Sequence, residues 1–242
     1  MISYSSLSRA GDRQVNEDAV GTTVQGDRYL FAVADGLGGH KRGAVASSYV
    51  VSRLLRAFEE VGDMDFSRFF TRTLRLIQQE LAVIQREEGC PGGMLSTVAA
   101  AAVCGSTVTV AHVGDSRCYL LGPWGVRKRT LDHSVPQALA LAGEIREQDI
   151  PHHPSRSKLL HCLGDGDEEP RIELLEARRG TKSLLLCSDG FWEYIGSQEI
   201  AAARRRSKTP QEWLERMEET VRAAGVGQNM DNYSALGVFL DK

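Results

Sequence analysis

No apolar run in this chain approaches the ~20 residues that span a bilayer. The opening stretch, MISYSSLSRAGDR, has no hydrophobic signal region. No membrane partner is expected, and the cytoplasm is the expected compartment. Long blocks of like charge are missing as well. The longest basic run is Arg204-Arg205-Arg206, in a formal net charge of −3, so no nucleic-acid partner is expected and the run reads as the solvated face of a helix. Cysteine is scarce and scattered: Cys90, Cys104, Cys118, Cys162 and Cys187 are odd in number and form no Cys-x-x-Cys pair. Neither a disulfide framework nor a zinc site is indicated. Cys104, Cys118 and Cys187 fall inside apolar runs, where a thiol acts as a small core residue. There is no internal repeat, low-complexity segment or linker, so one domain over 1–242 is expected.

What is present is enough apolar residue for a real core, 42% of the chain. Apolar and β-branched runs predict strands at 3–8, 29–34, 97–104, 107–113, 117–121, 126–130, 171–177, 183–187 and 233–240. The first two are expected to flank a polar loop carrying Arg13, Asn16, Glu17 and Asp18. Gly105-Ser106 suits a hairpin turn. Helical spacing predicts helices at 43–61, 66–87, 135–142, 197–205 and 210–224. The first two share a short Gly-Asp turn and should pack antiparallel. In the last, Leu214, Met217, Val221 and Ala224 form the apolar stripe. Residues 132–165 hold four histidines and three prolines and read as an irregular flap. Strand blocks joined by short turns favour antiparallel sheets, with a helical layer on each side.

Four aspartates sit at or near the ends of these apolar runs: Asp35, Asp115, Asp189 and Asp231, three of them beside glycine. A carboxylate at a strand end is rigidly held yet reaches the rim of a sheet. Four such groups suggest carboxylates converging on hard cations. Asp35-Gly36-Leu37-Gly38-Gly39-His40 is neither G-x-G-x-x-G nor a P-loop; its glycines suit close approach of backbone, such as the Gly36 carbonyl, to an ion. Singly, each segment reads equally well as a turn or a surface salt-bridged loop. Arg13, beside Glu17 and Asp18, could grip a phosphoryl group bidentately. The other histidines carry less. His112 reads as a satisfied inter-sheet residue, and His152 and His153 as part of a flap turn.

The ordered set R-x-x-N-E-D, D-G-x-G-G-H, G-D-S-R, S-D-G and D-N-x-S resembles the metal-dependent serine/threonine protein phosphatases of type 2C, and it covers residues 3 to 240. Thr130-Leu131-Asp132-His133-Ser134, Ala142-Gly143-Glu144-Ile145 and His153-Pro154-Ser155-Arg156 resemble the flap of bacterial stand-alone members. The resemblance implies an α+β fold, a four-layer α-β-β-α sandwich of two antiparallel sheets flanked by antiparallel helix pairs. It implies two to three Mn²⁺ or Mg²⁺ ions. Asp35 would bridge two of them, Asp189 and Asp231 would complete one shell, and the Gly36 carbonyl, with Glu17 through water, would serve the other. Asp115 with Asp189 would hold the third. Asp35, Asp189 and Asp231 are the implied catalytic residues, Arg13 the phosphate binder, and Glu17, Asp18, Asn232 and His40 their supports. Water bridging two such ions is acidified below its bulk pKa of about 15.7, and the hydroxide would attack phosphorus directly, with no phosphoenzyme.

The chain departs from many eukaryotic members at Leu37, where they carry a histidine proposed as general acid. His40 is expected to be structural. Other phosphatase chemistries fit poorly. No cysteine is followed by arginine six positions on, the Gly-Asn-His-[Asp/Glu] element is missing, and Asp63-Met64-Asp65-Phe66-Ser67 mimics an aspartate-nucleophile loop between two helices rather than at a strand end. A phosphatase-like binding module is the non-enzymatic alternative. The expected partners are phosphorylated proteins and a cognate serine/threonine kinase. In size and motif spacing the chain is similar to members paired with kinases that control type VI secretion. A monomer is expected.

Overall fold

Strict alternation of side chains along the strands sorts this protein into layers. The computed structural model describes residues 2–37, 42–62, 64–166, 168–177 and 180–240. The strands are β1 (Ser3–Arg9), β2 (Asp18–Gln25), β3 (Arg28–Leu37), β4 (Leu95–Ser96), β5 (Val98–Cys104), β6 (Thr107–Val113), β7 (Arg117–Gly122), β8 (Gly125–Arg129), β9 (Glu173–Glu176), β10 (Ser183–Cys187) and β11 (Tyr233–Phe239). The helices are α1 (Arg42–Glu60), α2 (Phe66–Glu87), α3 (Val135–Leu141), α4 (Asp189–Trp192), α5 (Ser197–Arg206) and α6 (Pro210–Gly225). One sheet runs β1-β11-β10-β7-β8. The other runs β2-β3-β5-β6-β9, with β4 on the end of β3, and the strand pairs in both are antiparallel.

Three apolar cores define the four layers. Along β3, Phe31 and Val33 point between the sheets while Leu30, Ala32 and Ala34 point to α1 and α2. Along β10, Leu184 and Leu186 meet Phe31 and Val33 between the sheets, while Leu185 and Cys187 face α5 and α6. This is the period-2 logic of a strand buried on both faces. Helices α1 and α2 are antiparallel: Phe58 meets Phe66 and Phe69, and Arg53, earlier in α1, meets Glu80, later in α2.

The sandwich and the helix positions match the expectation, with three differences. Strand β2 lies where a polar loop was expected. Its residues are half-buried or exposed along the whole strand, so it shows no alternation to read. It packs under α1 at Gly21, where a Cβ would meet Val51 at 2.5 Å. Helix α4 is four residues long, too short for a period. In α6, Ala224 is exposed, and Trp213 and Gly225 join the buried face. The flap contains α3 and a 3-10 turn at Glu147–His152, pinned by the bridges Ser134↔Leu159 and Ser96↔Leu163.

The α1–α2 layer should be sensitive at Phe58, which is fully buried. Phe58→Ala is expected to lower unfolding free energy by about 3–5 kcal/mol in urea titration. Val45→Ala, on the exposed face of the same helix, should stay within ~0.5 kcal/mol. Equal losses at both positions would contradict this packing.

Candidate metal centre

Each sheet delivers aspartates to the same end of the sandwich. Asp35 and Gly36 lie near the end of β3, and Asp18 opens β2 directly opposite Asp35 in the register. From the other sheet, Asp189 opens α4, separated from β10 by Ser188, and Asp231 is separated from β11 by Asn232. Asp115 sits where the chain passes from β6 in one sheet to β7 in the other. The backbone of Asp35 is fixed on both sides: its N–H donates to Thr97 Oγ1 at 3.0 Å, and its carbonyl accepts from Thr97 N–H at 2.8 Å and Ser96 Oγ at 3.1 Å. Thr97 Oγ1 also lies 2.7 Å from Ser116 Oγ, which ties the Asp35 strand to the Asp115 crossing.

The carboxylates raise one another's proton affinity. Asp35 is held well above the usual range by burial first, then by the charges of Asp189, Asp18, Asp115 and Asp231. Asp189 is raised in the same way, by burial and then by Asp115, Glu193, Asp231 and Asp18. Both keep some solvent-facing surface, but the protein wall around them makes desolvation the largest cause. Asp115 is pushed up to about 7 by burial and Asp132, against the pull of Arg117. Asp18 is pushed to about 6 by burial, although Ser188 Oγ donates to its Oδ2 at 2.6 Å.

The structure gathers the remaining expected residues around this group. Arg13 makes a two-pronged contact with Asp231, Nε to Oδ1 at 3.1 Å and Nη2 to Oδ2 at 3.0 Å, both side chains about half exposed. Asn232 holds the Arg13 loop: its Oδ1 accepts from Glu17 N–H, and its Nδ2 donates to the Ala10 and Val15 carbonyls. Gly36 packs so tightly that a Cβ there would meet the Gly43 carbonyl at 2.0 Å and the Glu17 carbonyl at 2.8 Å. His40 lies outside the described residues. Residues that the sequence did not single out include Thr97 and Trp192, and Ser188, quoted only as part of S-D-G, was given no role. The contact between Ser188 and Asp18 spans 170 positions of chain and leaves no local signal.

These residues fit a hard divalent cation. Glu17 Oε1 and Asp18 Oδ1 are buried acceptors with no hydrogen-bond partner among the described residues, and the donor set is all oxygen. A second group, His112, His133 and Glu173, brings its ligand atoms within 4.8 Å of one another. Its proton pattern argues against a cation. His112 donates Nε2–H to the Leu131 carbonyl, leaving Nδ1 as a lone pair. His133 accepts from Gly114 N–H on Nδ1, so the neutral ring carries its proton on Nε2, 3.5 Å from Glu173 Oε1. Burial lowers both imidazoles, His133 to about 3. The triad therefore offers one donor and two acceptors. His112, expected to be satisfied, is satisfied on one nitrogen: its Nδ1, like His133 Nε2, finds no partner among the described residues.

A broad cleft is lined by Trp192, Glu193 and Tyr194, which follow Asp189 in the chain, and by flap residues Arg146, His152 and Arg156. Arg156 Nε donates to Glu193 at 2.7 Å and joins the flap to the segment after α4.

Residues 7–233 match the family model described as Protein phosphatase 2C. The chain is 32% identical over 202 residues to the serine/threonine phosphatase stp of Listeria monocytogenes, covering 81% of this chain and 80% of that protein. Among solved structures it is similar to the catalytic domain of the serine/threonine protein phosphatase PstP in complex with two manganese ions, at TM-score 0.82 and 28% identity, covering 98% and 97% of the two chains. It is also similar to PppA of Pseudomonas aeruginosa, described as a key regulatory component of T6SS, at TM-score 0.80 and 25% identity, covering 98% and 97%.

The raised carboxyls set a pH dependence. Without a cation, their protonated forms favour the fold fully below about pH 4. That contribution is lost as pH rises through about 6 for Asp18 and about 7 for Asp115. EDTA-stripped protein should therefore melt at lower temperature as pH is raised from about 5 to about 8, and saturating Mn²⁺ should lift Tm more at the upper end. A Mn²⁺ shift of equal size at both pH values would show that these carboxylates are not the site.

Proposed function

The chain belongs to the protein phosphatase 2C family, and from that premise we propose that it hydrolyses phosphoserine and phosphothreonine in proteins, using two to three Mn²⁺ or Mg²⁺ ions held by the aspartate cluster. The observation that carries the reading is the group of crowded, desolvated carboxylates with orphaned acceptors beside them. Asp35, Asp189 and Asp231 would be the catalytic ligands, the Gly36 carbonyl and Glu17 would serve on the β3 side, and Asp115 with Asp189 would hold a further cation. When bound, the cations would acidify water and offset charge on the phosphoryl oxygens, so that water rather than a side chain is the nucleophile.

The protein's own groups do the rest. Arg13 presents the planar fork that suits a phosphoryl group, the same geometry it uses on Asp231. It would exchange the carboxylate for substrate phosphate. Asn232 keeps the Arg13 loop against β11. Asp18, held by Ser188, orients the polar groups beneath Asp35. The cleft beside Trp192 and Glu193 is where the peptide on either side of the phosphoresidue would lie. Leu37 has no proton to give, so position 37 supplies no acid.

The wider setting belongs to the same proposal. The protein would act as a cytoplasmic monomer, opposing a cognate serine/threonine kinase. The likeness to PppA supports a place in type VI secretion control. No helix of the described residues is long and apolar enough to cross a membrane.

Phosphate release from a phosphothreonine peptide tests the reading. EDTA-stripped protein should be inactive and Mn²⁺ should restore it, while Asp35→Asn should lose several orders of magnitude with its fold intact. Binding of the peptide without release would favour the non-enzymatic alternative. Arg13→Ala should raise KM about 10–100-fold, the worth of the ~1.5–3 kcal/mol of a hydrogen bond to a charged group. Lysine at that position should recover only part of the loss. Unchanged kinetics in both Arg13 variants would leave Arg13 as a surface residue.

A further inference from the structure

The segment that opens the flap does more than begin it. Residues 130–134 lie against the crossing between β6 and β7 and grip it along its length. Thr130 N–H donates to the Cys118 carbonyl at 3.1 Å, and its Oγ1 accepts from Cys118 N–H at 3.0 Å. His133 N–H donates to the Gly114 carbonyl at 2.9 Å, and its Nδ1 accepts from Gly114 N–H at 3.2 Å. Asp132, buried, takes Arg117 in a two-pronged pair at 2.8 and 2.6 Å. Gly114, with φ +95, has no room for a Cβ, which would meet Thr97 Cγ2 at 2.7 Å. Asp115 is thus gripped on both sides of its own position.

A third grip comes from the far side. Trp192, three residues after Asp189 in α4, donates its indole N–H to the Asp115 carbonyl at 2.9 Å. The guanidinium of Arg117 stacks on the Trp192 ring, 3.4 Å from its centroid, and is held there by Asp132 and by the Tyr119 hydroxyl at 3.1 Å. Arg117 and Trp192 are both buried. One indole therefore connects the backbone of Asp115 to the helical turn that carries Asp189, and a buried ion pair fixes the plane of that indole.

We propose that Trp192, backed by the Arg117–Asp132 pair, is a positioning device that sets Asp115 against Asp189 and so tunes the cation these two carboxylates share, apart from the cations on Asp35 and Asp231. The inference rests on the reading of Asp115 as a cation ligand. In this role Trp192 acts through the Asp115 backbone. Outer partners of this kind typically change metal affinity by about 10–100-fold.

Calorimetric titration of EDTA-stripped protein with Mn²⁺ alone provides the test. The binding step that Asp115→Asn removes identifies the shared cation. Trp192→Phe keeps an aromatic face for Arg117 but deletes the indole N–H. It should weaken that one step about 10–100-fold and leave the steps lost in Asp35→Asn within about two-fold. Arg117→Lys, which lacks the planar stacking fork, should weaken the same step and decides the matter if Trp192→Phe does not fold. A purely structural role would lower Tm and leave every step of the titration unchanged; that result in a folded variant overturns the proposal. If Asp115→Asn removes no step, the reading of Asp115 as a ligand fails and the proposal with it. If Asp115→Asn removes a step that both other variants keep, only the positioning role fails.

Discussion

Repulsion among crowded, partly buried carboxylates is the constraint around which this end of the molecule is built. Asp35 and Asp189 come from different sheets, and desolvation together with the neighbouring carboxylates raises the proton affinity of both. Like charges at this depth cannot all ionise without a counter-charge. A chain that merely needed stability would not place them there, since apolar residues of similar size would serve as well or better. The sandwich supplies the restraint. Both sheets are anchored by an inter-sheet core, and the aspartates extend from strand ends whose backbones are already hydrogen-bonded. The strain of close approach is thus borne by rigid elements, and a divalent cation relieves it directly.

The aspartates were legible because burial and chemistry coincide at them. An apolar run predicts a strand, and a carboxylate with glycine at its end is out of keeping with that run. Asp35, Asp115, Asp189 and Asp231 stood out for this reason. Strand β2 was not legible, because its residues are half-buried or exposed throughout. Its placement matters, since it puts Asp18 opposite Asp35 instead of in a loop. The partners of the aspartates were hidden for a different reason. Ser188 with Asp18, Asn232 with the Arg13 loop and Trp192 with Asp115 are contacts between distant parts of the chain, made by residue types that carry no distinctive pattern of their own.

The flap and the centre are physically continuous. Residues 130–134 begin the flap, yet Thr130, Asp132 and His133 hydrogen-bond to Cys118, Arg117 and Gly114 at the β6–β7 crossing and the start of β7. At the other end of the flap, Arg156 reaches Glu193, one residue past Trp192. The flap therefore meets both the crossing that carries Asp115 and the segment that follows Asp189. A change in the flap has a short route of polar contacts to both, and Asp35, fixed through Thr97 and Ser96, is joined to the flap by the Ser96–Leu163 bridge.

The most direct test of the central claim is anomalous diffraction from crystals grown with Mn²⁺. The account predicts at least two anomalous peaks within metal–oxygen bonding distance of the aspartates, one of them shared by Asp35, Asp189 and Asp231. No peak at these carboxylates, or a peak only at His112, His133 and Glu173, would contradict it.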